Sequence, residues 1–474
     1  MSETRGNDAE RAEGPEAPGV AKRSHDPLDP ADAVLWDIEH DPLLRSTIVA
    51  VSELDQAPSW DRLVARMERV SRLLPRLRER VVDAPLGIGP PRWVVDEHFD
   101  LAFHLRRARC PAPGDLRAVL DMAQPAAMAS FDQCRPLWEF TLVEGMADGR
   151  AALIQKIHHS LTDGVGGVEL ALLILDDHAD VPEGDLPAAP VPRSASSPVE
   201  LALYATGERA SAAAGFVRAL PEFARTTVPR LNRLVPSVGR LLQPVSEPSS
   251  PLMRGRSLTR RLHVLDVPFA GLRAAGRAVG GTANDAYLAG VVGGLARYHA
   301  HHAVAVERLR VTMPVSMRSD ADSLAGNRFT PARFGVPADI EDPAERMRVL
   351  GQRARQGRAE PANDYTDALA GALGALPRSV TTAVFGSMLR NIDLVCTNIP
   401  GIPQRSWLAG AEMLSWYPFA PPGGSALSVS LMTFLGNACI GVCTDSAAVP
   451  DPEVLAACIE AGFAEVVAVG EHAD

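Results

Sequence analysis

The chain has 474 residues, of which 46% are hydrophobic and 22% are charged, so it is long enough to bury the cores of two domains. Its net charge of −11 argues against nucleic acid as the main partner. Six cysteines are scattered without CxxC spacing, which predicts reduced thiols in a cytoplasmic protein rather than a disulfide framework or a zinc site.

The first 26 residues are polar and charged and lack the apolar core of a signal peptide, so we expect a disordered tail over residues 1–26 and no secretion. No transmembrane span is predicted. The longest uncharged stretch, residues 413–444, is broken by prolines and glycines and its second half resembles two strands. Any membrane contact is therefore expected to be peripheral.

A first globular part is expected over residues 27–185, and its clearest helix runs from Trp60 to Arg80. Pro75 is a point where this helix bends or ends. The arginines that lie off its apolar stripe are Arg62, Arg66, Arg69, Arg72 and Arg76. Such a face is commonly solvated, and the alternative is contact with anionic lipid or a nucleotide phosphate.

The apolar run 151–157 predicts a strand that delivers His158 and His159, and a turn with Asp163 and Gly164 follows before a predicted helix over 168–175. Alternation along a strand directs the two imidazoles to opposite faces. One imidazole at the mouth of a strand suits base catalysis of attack by an alcohol. Gly164 is expected to take a positive φ. Paired histidines are often ordinary surface or core residues, and we interpret His301–His302 as such a pair, without an acid nearby in sequence.

Residues 186–258 are predicted to form an interdomain crossover, with a linker rich in alanine, proline and serine and a helix over 199–217. A second part is expected over residues 259–470. Its predicted elements are a strand over 262–267, a helix over 269–279, a long buried helix over 284–298, a strand over 309–315 and a hairpin of strands 427–435 and 438–443. Alternation of strand and helix in both halves predicts an α/β or α+β protein with two similar domains.

Six segments in chain order resemble one known family. They are DPADAVLW (29–36), RPLWE (135–139), HHSLTDG (158–164), GTANDA (281–286), MPVSMR with GNRF (313–318 and 326–329) and TNIPG (397–401). HHxxxDG resembles the signature of the coenzyme A-dependent acyltransferase superfamily. The ordered set is similar to the bacterial wax ester synthase/diacylglycerol acyltransferases over about residues 27–467. Each motif recurs by chance, whereas the ordered set is specific.

The resemblance implies two chloramphenicol-acetyltransferase-like domains with mixed sheets and the active site at their interface. It implies an O-acyltransferase that uses acyl-CoA as co-substrate, binds no other cofactor or metal, and acylates diacylglycerol, a long-chain alcohol or both. A peripheral membrane or lipid-droplet surface would supply the hydrophobic acceptor. The implied general base is His159, acting by direct transfer without an acyl-enzyme.

By the same resemblance, the residues that support the base are His158, Asp163, Gly164 and Asn284, and the candidates for a substrate or coenzyme A pocket are Asn398, Pro400, Gly401 and Arg318. Asp163 has two interpretations, as the partner of an imidazole or as a structural residue of the loop, and the resemblance favours the second. Asn284 has the local interpretation of a helix N-cap, with Asp285 favouring the helix terminus electrostatically. Trp138 is expected in packing.

Three alternatives remain open at this point. One is another acyltransferase or condensation enzyme of the superfamily that acts on carrier-bound or coenzyme A-bound groups. Another is a lipid-binding homologue that has lost activity. A metal site built from His158, His159 and Asp163 is the third, and strand alternation disfavours it.

Overall fold

The protein is described from a computed structural model that covers residues 26–83, 90–162, 164–182, 184–191, 243–316, 329–360, 370–371 and 378–472. The helices are α1 (Pro30–Ile38), α2 (Trp60–Leu73), α3 (Leu101–His104), α4 (Leu116–Met128), α5 (Gly164–Ile174), α6 (Phe269–Ala278), α7 (Ala283–His301), α8 (Pro343–Arg358), α9 (Arg378–Leu389) and α10 (Pro452–Glu471). Short 3-10 turns occupy Pro75–Arg78 and Ala147–Gly149.

The strands of the first half are β1 (Thr47–Leu54), β2 (Glu79–Val82), β3 (Arg92–Val95), β4 (Leu105–Arg109), β5 (Trp138–Glu144) and β6 (Ala151–His158). Those of the second half are β7 (Arg260–Pro268), β8 (Arg308–Ser316), β9 (Phe329–Pro337), β10 (Leu394–Ile399), β11 (Trp407–Leu408), β12 (Ala411–Phe419), β13 (Leu427–Phe434) and β14 (Asn437–Asp445).

Two six-stranded sheets form the framework, and β2 pairs separately with β3. The first sheet has the order β11-β12-β1-β6-β5-β4, and the second has the order β7-β14-β13-β10-β8-β9. Both sheets are mixed, because β4 runs parallel to β5 and β10 runs parallel to β8 and β13, while the other ladders are antiparallel. The predicted α/β class with mixed sheets is confirmed.

The first sheet is completed by chain from the second half of the sequence. β12 lies between β1 and β11 and pairs antiparallel with β1, with Phe419 opposite Val49. Near Phe419, β12 also meets β14 of the second sheet. A Cβ on Gly441 of β14 would lie only 2.0 Å from the carbonyl oxygen of Pro418 in β12. Only glycine permits that approach. β12 therefore joins the two sheets, and this strand was not predicted from the sequence.

Helix α2 is shorter than predicted, and its arginines are engaged by the chain itself. The helix ends at Leu73, Pro75 opens a 3-10 turn, and β2 follows. The arginines that donate hydrogen bonds to backbone carbonyls within residues 174–187 are Arg62, Arg66, Arg69 and Arg72. The face is therefore not simply solvated, because these side chains anchor the segment that follows α5, while contact with anionic lipid or a nucleotide phosphate stays a prediction.

Two predictions for the second half are confirmed. The long buried helix is α7, and Thr282 caps its N-terminus in a reciprocal capping box with Asp285. The predicted hairpin is formed by β13 and β14, and Leu435 and Gly436 both take positive φ at its turn.

Some sequence predictions concern residues outside the described ranges. These are the N-terminal tail apart from Asp26, the crossover helix over 199–217 and the candidate residues Asp163 and Arg318. The described parts of the predicted crossover, residues 186–191 and 243–258, contain no helix or strand.

We expect Gly441→Ala to destabilise the protein by roughly 1–3 kcal/mol, because the added methyl group overlaps the Pro418 carbonyl where the sheets join. Unfolding in urea, followed by tryptophan fluorescence, measures the change. Gly167→Ala is the matched control, since Gly167 lies in α5 with open space around it and alanine favours a helix. Equal stability of the two variants would contradict a tight crossing at Gly441.

Candidate active site

The predicted histidine pair lies at the end of β6, inside the first sheet. His158 is the last residue of the strand, opposite Thr47 of β1, and its side chain is fully buried. His159 follows the strand and is half-buried. The two imidazoles therefore occupy different environments, as the alternation of side chains along a strand requires.

Both ring nitrogens of His158 are occupied. Its Nδ1 accepts a hydrogen bond from the Ser160 N–H at 3.1 Å and lies 2.7 Å from Ser160 Oγ, while Nε2 lies 3.2 Å from Glu39 Oε2. Because Nδ1 is an acceptor, the ring proton of the neutral imidazole sits on Nε2 and is donated to Glu39. No ring nitrogen of His158 remains for a metal ion, so the alternative of a metal site built on both histidines is not supported.

Glu39 also fixes the backbone at His159. Glu39 Oε2 accepts from the Ser46 N–H at 2.8 Å, and the Ser46 carbonyl accepts from the His159 N–H at 2.8 Å. Burial by itself raises the pKa of Glu39, but the hydrogen bonds from His158 and Ser46 and the charge of Arg45 bring that pKa below its ordinary value. The carboxylate is therefore ionised at neutral pH.

Glu39 and Ser46 were not predicted from the sequence. Glu39 follows directly after α1 and is indistinguishable, in sequence, from the acidic residues that commonly flank helices. Ser46 contributes its backbone, which carries no signal in the sequence at all. Both residues matter at this site only through contacts across the first sheet.

The predicted positive φ does not explain the glycine at position 164. It begins α5 without a positive φ, so backbone freedom is not the reason for glycine here. Instead, a Cβ at this position would lie 2.9 Å from Ile399 Cδ1. Ile399 is the last residue of β10, within the TNIPG segment. The HHSLTDG segment of residues 158–164, here the histidine loop, is thus in direct contact with the TNIPG segment of the second half.

Two asparagines of the second half lie beside each other. Asn398 Nδ2 donates to Asn284 Oδ1 at 3.4 Å, which links β10 to the first turn of α7. The interpretation of Asn284 as an N-cap is wrong, because Thr282 caps the helix. Asp285 completes the cap and pairs with Arg355 at 3.3 Å. The side chain of Asn284 therefore interacts across elements rather than with its own helix.

The turn after β10 packs tightly against β13. The Gly401 N–H donates to Thr433 Oγ1 at 3.0 Å, and a Cβ on Gly401 would lie 1.8 Å from the Thr433 carbonyl oxygen. Pro400 is exposed beside it. Gly401 thus fixes the path of the TNIPG segment, while the candidates Asp163 and Arg318 lie outside the described residues.

Trp138 of the RPLWE segment is a core residue, as expected. It is fully buried, its Nε1 donates to the Leu77 carbonyl at 2.8 Å, and its ring stacks on His104 at a centroid distance of 4.7 Å. The cysteines of β14 are likewise structural: burial raises the pKa of Cys439 to about 12 and that of Cys443 to about 11.

The second histidine pair does have an acid nearby in space, contrary to its appearance in sequence. His302 Nε2 lies 3.0 Å from Asp451 Oδ2, just before α10, and His301 is close enough to join them around an ion. At 1.5 Å rise per residue, α7 separates His301 from Asn284 by about 25 Å. This cluster is therefore remote from the HHxxxDG loop.

Solved structures share this fold. The wax ester synthase/diacylglycerol acyltransferase from Marinobacter aquaeolei VT8 superposes with a TM-score of 0.63 at 21% identity, covering 94% of this chain and 100% of that one. The starter condensation domain of rhizomide synthetase, in a mutant complexed with C8-CoA and Leu-SNAC, gives a TM-score of 0.60 at 14% identity over 94% and 95% of the two chains. The fold is thus the two-domain fold of acyltransferases and condensation domains, as the resemblance implied.

The sequence comparisons narrow this class to one family. The model of the wax ester synthase/diacylglycerol acyltransferase catalytic domain matches residues 28–287, and that of the WS/DGAT C-terminal domain matches residues 325–466. A Mycobacterium tuberculosis H37Rv protein provisionally named a diacylglycerol O-acyltransferase is 39% identical over 462 residues, or 95% of this chain and 94% of its own. The tgs1 protein of that strain, with the same provisional name, is 27% identical over 441 residues, or 88% and 89%.

The chain therefore belongs to the wax ester synthase/diacylglycerol acyltransferase family and is an acyltransferase. The family match extends across both halves, so it includes the histidine loop as well as the TNIPG segment that touches it.

We expect Gly164→Ala to lower turnover about ten- to a hundredfold, because the new methyl group pushes the histidine loop away from Ile399. Adding Ile399→Val removes the nearest atom, Cδ1, and should recover part of the loss. Release of free thiol from acyl-CoA measures turnover, and Gly167→Ala in the same helix serves as the control that keeps activity. A defect that Ile399→Val leaves unchanged would contradict a functional contact between the two segments.

Proposed function

We propose that the protein transfers a fatty acyl group from acyl-CoA to the hydroxyl of diacylglycerol, of a long-chain alcohol, or of both. The observation that carries this proposal is the contact of Gly164 with Ile399, because it sets the histidine loop against the segment that holds the Asn398–Asn284 pair. Relatives provisionally named diacylglycerol O-acyltransferases favour diacylglycerol as the acceptor.

In this proposal His159 is the general base. Its imidazole takes the hydroxyl proton while the alcohol oxygen attacks the thioester carbonyl, and a tetrahedral oxyanion forms. Collapse of the oxyanion expels the coenzyme A thiolate, which receives the proton from His159, so the products are an ester and a free thiol. Base catalysis contributes typically about 10²–10⁴-fold, and positioning and oxyanion stabilisation supply the remainder.

The proposed partners of the base come from the second half. Asn284 Oδ1 is the acceptor from Asn398, and its Nδ2 is the proposed donor to the oxyanion or to the imidazole. Pro400 and Gly401 are the proposed pocket wall, Arg318 the proposed contact for coenzyme A phosphates, and Asp163 a structural residue of the histidine loop. Neither half, 27–185 or 259–470, is expected to work alone.

The proposed membrane contact is peripheral. Among the described residues, no helix combines the length and apolar composition needed to cross a bilayer. Apolar side chains are exposed around α2, α5 and the segment that α2 anchors: they are Leu73, Leu172, Leu186 and Val191, with exposed fractions of 41%, 49%, 54% and 79%. This group, here the apolar rim, is the proposed contact with a membrane or lipid droplet that carries the hydrophobic acceptor.

The function is tested by offering palmitoyl-CoA with either diacylglycerol or hexadecanol and following free thiol and ester product together. We expect thiol release that depends on the acceptor, in equal amount with the ester. Acceptor-independent hydrolysis, or no release with any alcohol, would overturn the proposed function.

His159→Ala is expected to lower acceptor-dependent thiol release by about 10²–10⁴-fold, because the hydroxyl proton loses its acceptor. Circular dichroism should show an intact fold. His158→Ala is expected to lose less activity but more stability, since it leaves Glu39 Oε2 without one of its donors in a buried site. An active His159→Ala beside an inactive, stably folded His158→Ala would reverse the assignment of the base.

The double variant Leu172→Glu with Leu186→Glu is expected to reduce co-sedimentation with vesicles of phosphatidylcholine and diacylglycerol severalfold, because charges replace apolar contact area. Turnover on a short-chain, water-soluble acceptor should stay unchanged. Leu414→Glu, at a side chain 37% exposed on β12, is the matched control. If the control weakens vesicle binding as much as the double variant, the apolar rim is not the contact surface.

A further inference from the structure

We propose that Glu39 is a positioning residue for His159: one carboxylate oxygen holds both segments that place the imidazole, and its charge strengthens the base. This inference rests on the proposed function, because it takes His159 as the base. Glu39 lies outside the HHxxxDG, GTANDA and TNIPG segments, on the loop between α1 and β1.

The geometry converges on a single atom. Glu39 Oε2 accepts from the His158 Nε2–H at 3.2 Å and from the Ser46 N–H at 2.8 Å. The His158 backbone precedes His159 directly, and the Ser46 carbonyl accepts the His159 N–H at 2.8 Å. Glu39 therefore holds His158, the residue before His159, through the His158 ring. It also holds Ser46, the residue opposite His159, through the Ser46 amide.

The surroundings of Glu39 hold its carboxylate in place. Glu39 is 5% exposed, and the rings of Trp36 and Phe131 enclose His158 edge-on at centroid distances of 6.2 Å and 5.9 Å. Glu39 Oε1 is buried without a hydrogen-bond partner among the described residues. A buried charge with one unpaired oxygen is costly, so the two bonds to Oε2 must offset much of that cost.

The charged and titratable groups that face Glu39 come from two segments. His158 and Lys156 come from β6, and Arg45 comes from the segment before β1. Lys156 also pairs with Glu139 at 3.3 Å. On the α9 side, Arg378 pairs with Asp37 at 2.9 Å and Arg390 pairs with Asp41, so neither arginine neutralises Glu39.

Two substitutions of Glu39 test the length of its side chain and its charge separately. Glu39→Asp keeps the charge but is one methylene shorter, so its carboxylate cannot reach both His158 and Ser46. Glu39→Gln keeps the reach, since its amide oxygen can accept both bonds and its NH₂ takes the place of the unpartnered Oε1. Asp37→Asn is the matched control, because Asp37 is an acid of α1 whose partner is Arg378.

We expect Glu39→Asp to lower kcat about tenfold with little change in KM and with the acidic limb of the pH–rate profile in place. Glu39→Gln should move that limb about one pH unit lower, because it removes a buried negative charge that is joined to the His159 N–H through Ser46 and that favours the protonated imidazole. Asp37→Asn should leave the limb and kcat unchanged. A purely structural role for Glu39 would lower the active fraction without moving the limb.

The ionisation of the His159 imidazole can also be measured without turnover. Diethyl pyrocarbonate carbethoxylates His159 to an extent that depends on pH, and tandem mass spectrometry locates the modification. Folded Glu39→Asp with wild-type kcat, or an unmoved midpoint in Glu39→Gln by both methods, overturns the inference. If either variant fails to fold, the other still decides it. Wild-type protein without acyl transfer would refute the proposed function alone, since the carbethoxylation midpoint still reports on Glu39.

Discussion

β12 connects the two sheets, and the arrangement of the candidate active site rests on this connection. β1 pairs on one side with β12 and on the other with β6, so the strand that ends at His158 and the strand that meets the second sheet share one neighbour. The second sheet is therefore placed relative to the histidines by backbone ladders. The contact of Gly164 with Ile399 follows from this placement, because β10 can bring its last residue to the histidine loop only if the sheets stay in register.

Within that framework the two histidines have separate tasks because their environments differ. His158 is fully buried and bonded at both ring nitrogens, so it fastens the end of β6. His159 is half-buried, and its backbone N–H is held by the Ser46 carbonyl. Glu39 connects these two arrangements, since a buried carboxylate needs donors and takes them from both segments. Stability of the strand end and placement of the proposed base thus share the same hydrogen bonds.

Elements whose signal is local were predicted well. The strand over 151–157, the long buried helix and the hairpin around Gly436 were confirmed because periodicity and turn residues depend only on neighbours in sequence. Predictions failed where contacts with segments distant in sequence determine what a residue does. The arginines of α2 bind carbonyls of the segment 174–187, Gly164 makes room for Ile399, and Thr282 rather than Asn284 caps α7.

The class of fold and the family could be predicted from the sequence, because motifs in fixed order and apolar periodicity are visible without any knowledge of contacts. Which of the motif residues meet, and which others join them, depends on tertiary contacts. β12, Glu39 and the Ser46 carbonyl act through pairings across the first sheet, and Asn398 reaches Asn284 from another strand. Such contacts depend on how ladders and helices bring remote segments together, and a backbone carbonyl or a lone acid after a helix has no signature along the chain.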